Sequence, residues 1–168
     1  MADTKAILGI NAGTRSIGIA MIRNGDLVDW KVKSFKGEWS KDKLEYILRK
    51  LDAVCRDYPV TAIALKKVDP SKGSRQLEVL MARIIKLASK NRIPVTIYSI
   101  HDLHLMTDGR YKSAKKSIAE YVQTTYPVLK SEYQRERKNK REYYAKMFEA
   151  VLCAHIRNEQ EVEIRQPA

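Results

Sequence analysis

The sequence predicts an α/β protein in which helices cover both faces of a mixed five-stranded sheet. Two observations support this fold class. The first 35 residues contain three strand-like segments separated by short turns, which is typical of antiparallel strands. The rest of the chain alternates strand-like segments with apolar patterns of helical spacing, and parallel strands need such helical crossovers. The predicted element order is therefore β-β-β-α-β-α-β-α-α.

The five predicted strands are short apolar or alternating segments. The first is an unbroken apolar run, typical of a strand buried on both faces. Asn24 and Gly25 tolerate positive φ and predict a hairpin between the second and third strands. In the third strand, Val28, Trp30 and Val32 fall on one face. The predicted strands cover residues 6–10, 17–23, 27–35, 60–65 and 94–100.

Four helices are predicted from apolar residues at helical spacing. Ser40 is suited to cap the first helix, and Pro127 lies just beyond the end of the third. The last helix is predicted as one continuous element. The first two apolar stripes lie at 44–54 and 77–88, and the last two helices at 112–125 and 132–155.

Length and composition fit one globular domain in a reducing compartment. At about 150 residues per domain, the 168 residues predict a single domain over 5–157 and a frayed tail over 158–168. No apolar run is long enough to span a bilayer, and no secretory signal precedes the first strand. Cys55 and Cys153 lie on separate predicted helices. We therefore expect a cytoplasmic protein with no disulfide and no membrane association.

Positive charge is the strongest compositional signal. The chain has 32 Lys and Arg against 20 Asp and Glu, a net charge of +12. Between residues 110 and 146, eleven basic residues stand against four acidic ones, with tyrosines interleaved. Such an excess indicates a polyanionic partner, nucleic acid before an acidic membrane surface. The predicted nucleic-acid-binding residues are Thr14, Arg15, Lys115, Lys116, Arg135, Arg137, Lys138, Lys140 and Arg141.

A family resemblance begins at residues 7–18, with the sequence ILGINAGTRSIG. This segment resembles the first strand and turn of the RuvC-type Holliday-junction resolvases, within the ribonuclease H-like superfamily. Later segments resemble the family's fourth strand, its next helix and fifth strand, the start of the following helix, and its last catalytic helix. Those segments are 62–68, 74–100, 113–117 and 148–155. The resemblance covers about residues 5–157 and implies a ribonuclease H-like fold, DNA binding and a homodimer.

The same resemblance implies a nuclease centre whose metal ligands are mostly missing here. The family holds two divalent ions, Mg²⁺ or Mn²⁺, with carboxylates on the first strand, the fourth strand and the last helix. At those positions this chain has Asn11, Lys66 and Lys146, and only Glu149 is acidic. An ammonium group has no acceptor and repels a metal ion. We therefore expect no metal cofactor, and a protein that binds structured DNA without cutting it.

Two alternatives to this function remain open. The chain could be an active Mg²⁺- or Mn²⁺-dependent endonuclease with a relocated cluster of Asp69, Glu142 and Glu149, since Glu142, Lys146 and Glu149 share one face of the predicted last helix. Glu142 and Lys146 could equally form an ordinary surface pair. The fold could also serve as a non-enzymatic scaffold that binds an acidic protein.

Lysines at carboxylate positions support two hypotheses about the site. Because the first and fourth strands are neighbours in the resembled fold, Asn11, Lys66 and Glu149 are expected to converge at one end of the sheet. In the first hypothesis, Lys66 and Lys146 bind a phosphate group as point charges. In the second, Lys66 forms an internal salt bridge with Glu149 and contributes to stability rather than to binding.

Overall fold

A computed structural model describes residues 4–109, 111–139 and 143–165, and within these ranges five strands form one mixed sheet. The strands are β1 (Ala6–Asn11), β2 (Ser16–Arg23), β3 (Asp26–Ser34), β4 (Ala62–Lys66) and β5 (Val95–Tyr98). Their order is β3-β2-β1-β4-β5, with antiparallel pairs among the first three and parallel pairs at β1–β4 and β4–β5. The predicted fold class is confirmed.

Helices flank this sheet on both faces. They are α1 (Lys41–Asp57), α2 (Arg75–Lys90), α3 (Ile100–Leu105), α4 (Ala114–Thr125), α5 (Lys130–Asn139) and α6 (Ala145–Arg165). Short 3₁₀ turns occur at Pro70–Lys72 and Pro127–Leu129. The side chain of Ser40 accepts a hydrogen bond from the Lys43 N–H, which confirms it as the cap of α1. None of the helices in the described ranges combines the length and apolarity needed to cross a bilayer.

Strand alternation divides the core into two clusters, one on each face of the sheet. Ile7 and Ala64 join a cluster with α4 and α6, whereas Leu8 and Leu65 join a cluster with α1 and α2. Successive strand residues point to opposite faces, so the central strands are apolar on both sides. The sheet is thus a rigid layer whose strand ends hold side chains in fixed positions.

Close approach of α6 to the sheet depends on glycine. A Cβ atom at Gly9 would overlap the carbonyl oxygen of Ala150, and one at Gly18 would overlap the backbone of Lys146. Neither position can hold a side chain without moving the helix. The α6 backbone therefore lies directly against β1 and β2, which brings its side chains to the strand ends.

The predicted faces of β3 are wrong at Val28. The pairing register shifts between Met21 and Ile22, which marks a β-bulge. Leu27 therefore packs with Trp30 against the core, and Val28 is 43% exposed. Strict alternation cannot locate an extra residue in one strand, and that is why the sequence pattern failed here.

The predicted continuous last helix is wrong. The chain forms α5 and α6 as separate helices, and Tyr143 and Tyr144 are not helical. The Tyr144 N–H donates to the Glu136 carboxylate at 2.8 Å, and the Phe148 N–H donates to the Tyr144 carbonyl to start α6. Glu142 lies outside the described residues, so its predicted place on a shared helix face is not described.

Two further segments differ from the predicted element bounds. α3 begins where a strand was predicted to end, because Ser99 and Asp102 form a capping box. α6 continues to Arg165 through most of the segment predicted as a frayed tail. Glu161 in that segment accepts a hydrogen bond from Lys5 at 3.0 Å, and Gln160 accepts one from Tyr98 at 2.7 Å. These contacts tie the end of α6 to the sheet.

Candidate functional site

Three elements meet at one edge of the sheet and position the candidate site. Asn11 ends β1 and Lys66 ends β4, and these strands are parallel neighbours in which Ile10 pairs with Leu65. The carboxyl ends of parallel strands lie at the same edge of a sheet. α6 packs across one face of the sheet, and its Glu149 side chain contacts both strand ends. The predicted convergence of Asn11, Lys66 and Glu149 is confirmed.

Glu149 is a buried residue, 4% exposed as a whole, and each of its carboxylate oxygens faces a donor. Asn11 Nδ2 donates to Oε2 at 2.8 Å, and Lys66 Nζ lies 3.3 Å from Oε1. A buried carboxylate is tolerated only when it is paired and hydrogen-bonded. The amide and the ammonium together meet that requirement, so Glu149 is neutralised within the protein itself.

Lys146 lies one turn before Glu149 but is oriented differently. Its ammonium donates to the carbonyl oxygen of Ser16 at 3.0 Å and fills the space above Gly13, where a Cβ atom would collide with it. Lys146 thereby stabilises the turn between β1 and β2. Sequence analysis did not identify the Ser16 carbonyl or the space above Gly13 as contacts of Lys146. Gly13 was the one sequence signal that could have indicated them.

Several charged groups influence the Lys146 ammonium. Burial lowers its pKa. The nearby Glu149 carboxylate opposes that shift, whereas the ammonium groups of Lys66 and Lys115 add to it. Among the described residues Lys146 forms no ion pair. The Lys146 ammonium is therefore a second positive charge near the Lys66–Glu149 pair.

The residues present do not fit the two-metal centre that the family resemblance implies. Both oxygens of Glu149 face donors, and one of those donors carries a positive charge. Within the described ranges, no three His, Cys, Asp or Glu side chains are grouped so that they could hold a metal ion. A divalent ion at this position would have to displace Lys66 from Glu149.

The proposed alternative ligand Asp69 has a local role. Its carboxylate accepts hydrogen bonds from the Ser71 N–H at 3.0 Å and the Ser71 hydroxyl at 2.8 Å, and these bonds lower its pKa. Asp69 thus caps the Pro70–Lys72 turn. With Glu142 outside the described residues, the relocated acid cluster stays a hypothesis.

Predicted nucleic-acid-binding residues lie on three elements. Thr14 and Arg15 are in the turn that Lys146 stabilises, and Lys115 and Lys116 are in the first turn of α4. The exposed side chains Arg135, Arg137 and Lys138 are on α5, while Lys140 and Arg141 lie outside the described residues.

α5 forms one wall of a basic groove against α4. The guanidinium of Arg137 lies 5.7 Å from the Tyr133 ring centroid, within cation–π range. The groove is lined by Gln123, Lys130, Tyr133, Gln134, Arg137 and Lys138. Amide, aromatic and basic side chains in such a groove are chemically suited to contact a nucleic-acid backbone.

Comparison with solved structures identifies the fold. A structure of Thermus thermophilus RuvC in complex with a Holliday junction substrate matches with a TM-score of 0.72 and 14% identity, over 95% of this chain and 96% of that chain. A second T. thermophilus RuvC structure gives 0.70 and 14%, over 93% and 96%. Fowlpox virus resolvase, in complex with substrate Holliday junction DNA, gives 0.55 and 14%, over 94% and 99%.

These matches confirm the resemblance to RuvC-type resolvases at the level of the fold. No family model matches the sequence, and no curated protein matches it. The chain therefore has the ribonuclease H-like fold seen in RuvC.

Proposed function

We propose that this protein binds structured DNA on a RuvC-like fold and does not cut it. The Lys66–Glu149 ion pair carries the proposal. The resemblance aligns Lys66 with a metal-binding carboxylate of those nucleases, and the contact of its ammonium with Glu149 at 3.3 Å supports the proposal. Without a divalent ion, none of the described groups at this edge can generate hydroxide from water at neutral pH.

Charge and fold support DNA as the partner. The net charge of +12 favours a polyanion, and the exposed basic residues of α5 lie on the same side of the sheet as α6. T. thermophilus RuvC and fowlpox virus resolvase are both described in complex with Holliday junction DNA. The resemblance further supports a homodimer, and the composition supports a cytoplasmic location.

A salt titration tests the binding part of the proposal. Affinity for a four-way junction and for a duplex of equal length is measured by fluorescence anisotropy in EDTA. We expect binding to persist without metal and log K to fall linearly with log salt, by about 0.9 for each phosphate neutralised. Absence of binding to either DNA at low salt would support the scaffold alternative instead.

A nuclease assay tests the non-cutting part. The protein is incubated in excess over labelled junction with Mg²⁺ or Mn²⁺, and products are separated on a denaturing gel. We expect intact strands. Cleavage that is retained in Lys66→Met but lost in Glu149→Gln would contradict the proposal and favour an active endonuclease with relocated ligands.

A further inference from the structure

The two lysines of the candidate site have different partners, and this difference separates their roles. Lys66 is bound to a buried carboxylate at 3.3 Å, and its side chain is 13% exposed. Lys146 is hydrogen-bonded to a neutral carbonyl, that of Ser16, at 3.0 Å. The first ammonium is paired with a carboxylate inside the protein, whereas the second has no carboxylate within ion-pair distance among the described residues.

The groups around Lys146 favour the binding of an anion. Lys146 is half-buried, and Lys115 is close enough to influence it electrostatically. Arg15 is exposed and directly precedes Ser16, whose carbonyl oxygen accepts the hydrogen bond from Lys146. Partial exclusion of water strengthens the attraction between a fixed ammonium and an anion, because the effective dielectric constant is lower there.

We infer that Lys146, together with Lys115 and the turn of residues 12–16, binds a phosphodiester group of the DNA, while Lys66 serves only as the internal counter-ion of Glu149. The inference deepens the proposed function and rests on it. A lysine ammonium binds phosphate as a point charge without fixed bidentate geometry. The bound phosphate would be held without metal and without activated water, so its ester bonds stay intact.

A matched pair of variants tests this division of roles. In Lys146→Met we expect weaker junction binding and a salt slope smaller by about one, the effect of one lost phosphate contact. In Lys66→Met we expect an unchanged slope and a lower Tm, because Glu149 loses its charged partner. Lys86→Met, an exposed position of α2 on the opposite face, is the charge-matched control and should change neither quantity.

Each possible result decides the inference. An unchanged slope in Lys146→Met, with wild-type protein that binds the junction, would overturn the inference and leave the proposed function standing. Wild-type protein that binds no DNA would overturn the proposed function itself. A slope reduced in Lys66→Met without loss of Tm would also overturn the inference, because it would assign the phosphate to Lys66.

Two further variants keep the test decisive if a single change prevents folding. Where Lys146→Met is unfolded, Lys115→Met replaces it, and a slope smaller by about one supports the inference whereas an unchanged slope contradicts it. Where Lys66→Met is unfolded, Lys66→Met/Glu149→Gln removes both charges of the pair. This double variant should fold and bind with the wild-type slope, and a reduced slope would contradict the inference.

Discussion

Lys66 and Glu149 form an ion pair with little access to water. Their side chains are 13% and 6% exposed, and the second carboxylate oxygen is held by Asn11 at 2.8 Å. Removal of one partner from such a pair leaves a charge that the interior cannot solvate. The pair as a whole is a weaker source of stability, because both charges had to leave water on folding.

We therefore predict that Lys66→Met destabilises the protein by roughly 3 kcal/mol, as expected when a buried pair loses one member. Lys66→Met/Glu149→Gln should recover most of that loss, since no charge is then left unpaired. Urea unfolding followed by circular dichroism measures both values. A double variant no more stable than Lys66→Met would show that packing, rather than the unpaired carboxylate, sets the cost.

At the scale of elements, the position of α6 depends on the absence of side chains beneath it. The contact of Gly9 with the Ala150 carbonyl and that of Gly18 with the Lys146 backbone leave no room for a methyl group. Backbone atoms cannot move aside as a flexible side chain can. The helix itself would have to shift, and the positions of Lys146 and Glu149 would shift with it.

Gly9→Ala is thus expected to destabilise the protein by about 2–3 kcal/mol, toward the upper end for overpacking in a core. Gly73→Ala is the matched control, because its added Cβ would meet Val68 at an ordinary 3.6 Å and its φ is not positive. Thermal unfolding of both variants checks the prediction. Equal Tm values would mean that α6 does not pack as closely as described.

His155 connects α6 to the end of α4. Its Nδ1 lies 2.8 Å from the Tyr126 hydroxyl, and the rings of Tyr121 and Tyr126 meet it edge-on. Burial lowers the pKa of His155, and the Glu159 carboxylate opposes that shift. Within the folded protein the imidazole is therefore neutral over most of the physiological range.

This environment predicts a loss of stability in mild acid. An unfolded chain takes up a proton on this histidine near pH 6.5, whereas the folded protein does so only at lower pH. Stability should therefore fall as pH decreases below about 6.5, by at most ~1.4 kcal/mol per pH unit. Urea unfolding between pH 7.5 and 5 should show a flatter profile for His155→Gln than for the wild-type protein, and an equally steep profile in both would contradict the prediction.

Features of the fold that depend on neighbouring residues in the chain were predicted from the sequence. Features that depend on contacts between distant residues were not. β1 was predicted within one residue, because a buried strand shows a local apolar run. The break between α5 and α6 was not predicted, because residues 130–155 contain no proline or glycine and the segment 130–142 is rich in charged residues of high helix propensity. The break involves a contact from Glu136 to the Tyr144 backbone that no periodicity reveals.

The same contrast applies to the residues of the candidate site. Convergence of Asn11, Lys66 and Glu149 could be predicted from the family resemblance, which implies that β1 and β4 are neighbours, because parallel neighbouring strands end at one edge. The direction of Lys146 could not be predicted, because a long side chain on a helix end can reach several groups. Its bond to the Ser16 carbonyl depends on the space above Gly13, which exists only in the folded protein.

At the scale of the whole molecule, exposed basic residues lie on both faces of the sheet. α5 is strongly polar, with exposed Arg135, Arg137 and Lys138, and it packs on the face that carries α6. The opposite face is covered by α1 and α2, which also carry exposed basic residues. A DNA-binding role for one face predicts that equal charge removal on the two faces has unequal effects.

The last prediction compares two variants of equal net charge. In the first, Arg135, Arg137, Lys138, Lys140 and Arg141 are changed to Gln; in the second, Arg49, Lys50, Arg75, Lys86 and Lys90 on α1 and α2 are changed to Gln. The first should lower the salt slope of junction binding by more than about two, since each lost phosphate contact removes about one. The second should leave the slope within about half a unit of wild type, because long-range charge effects are screened beyond roughly 8 Å at physiological salt. Equal changes in the two variants would show that DNA responds to the overall charge of the protein rather than to the α5 face.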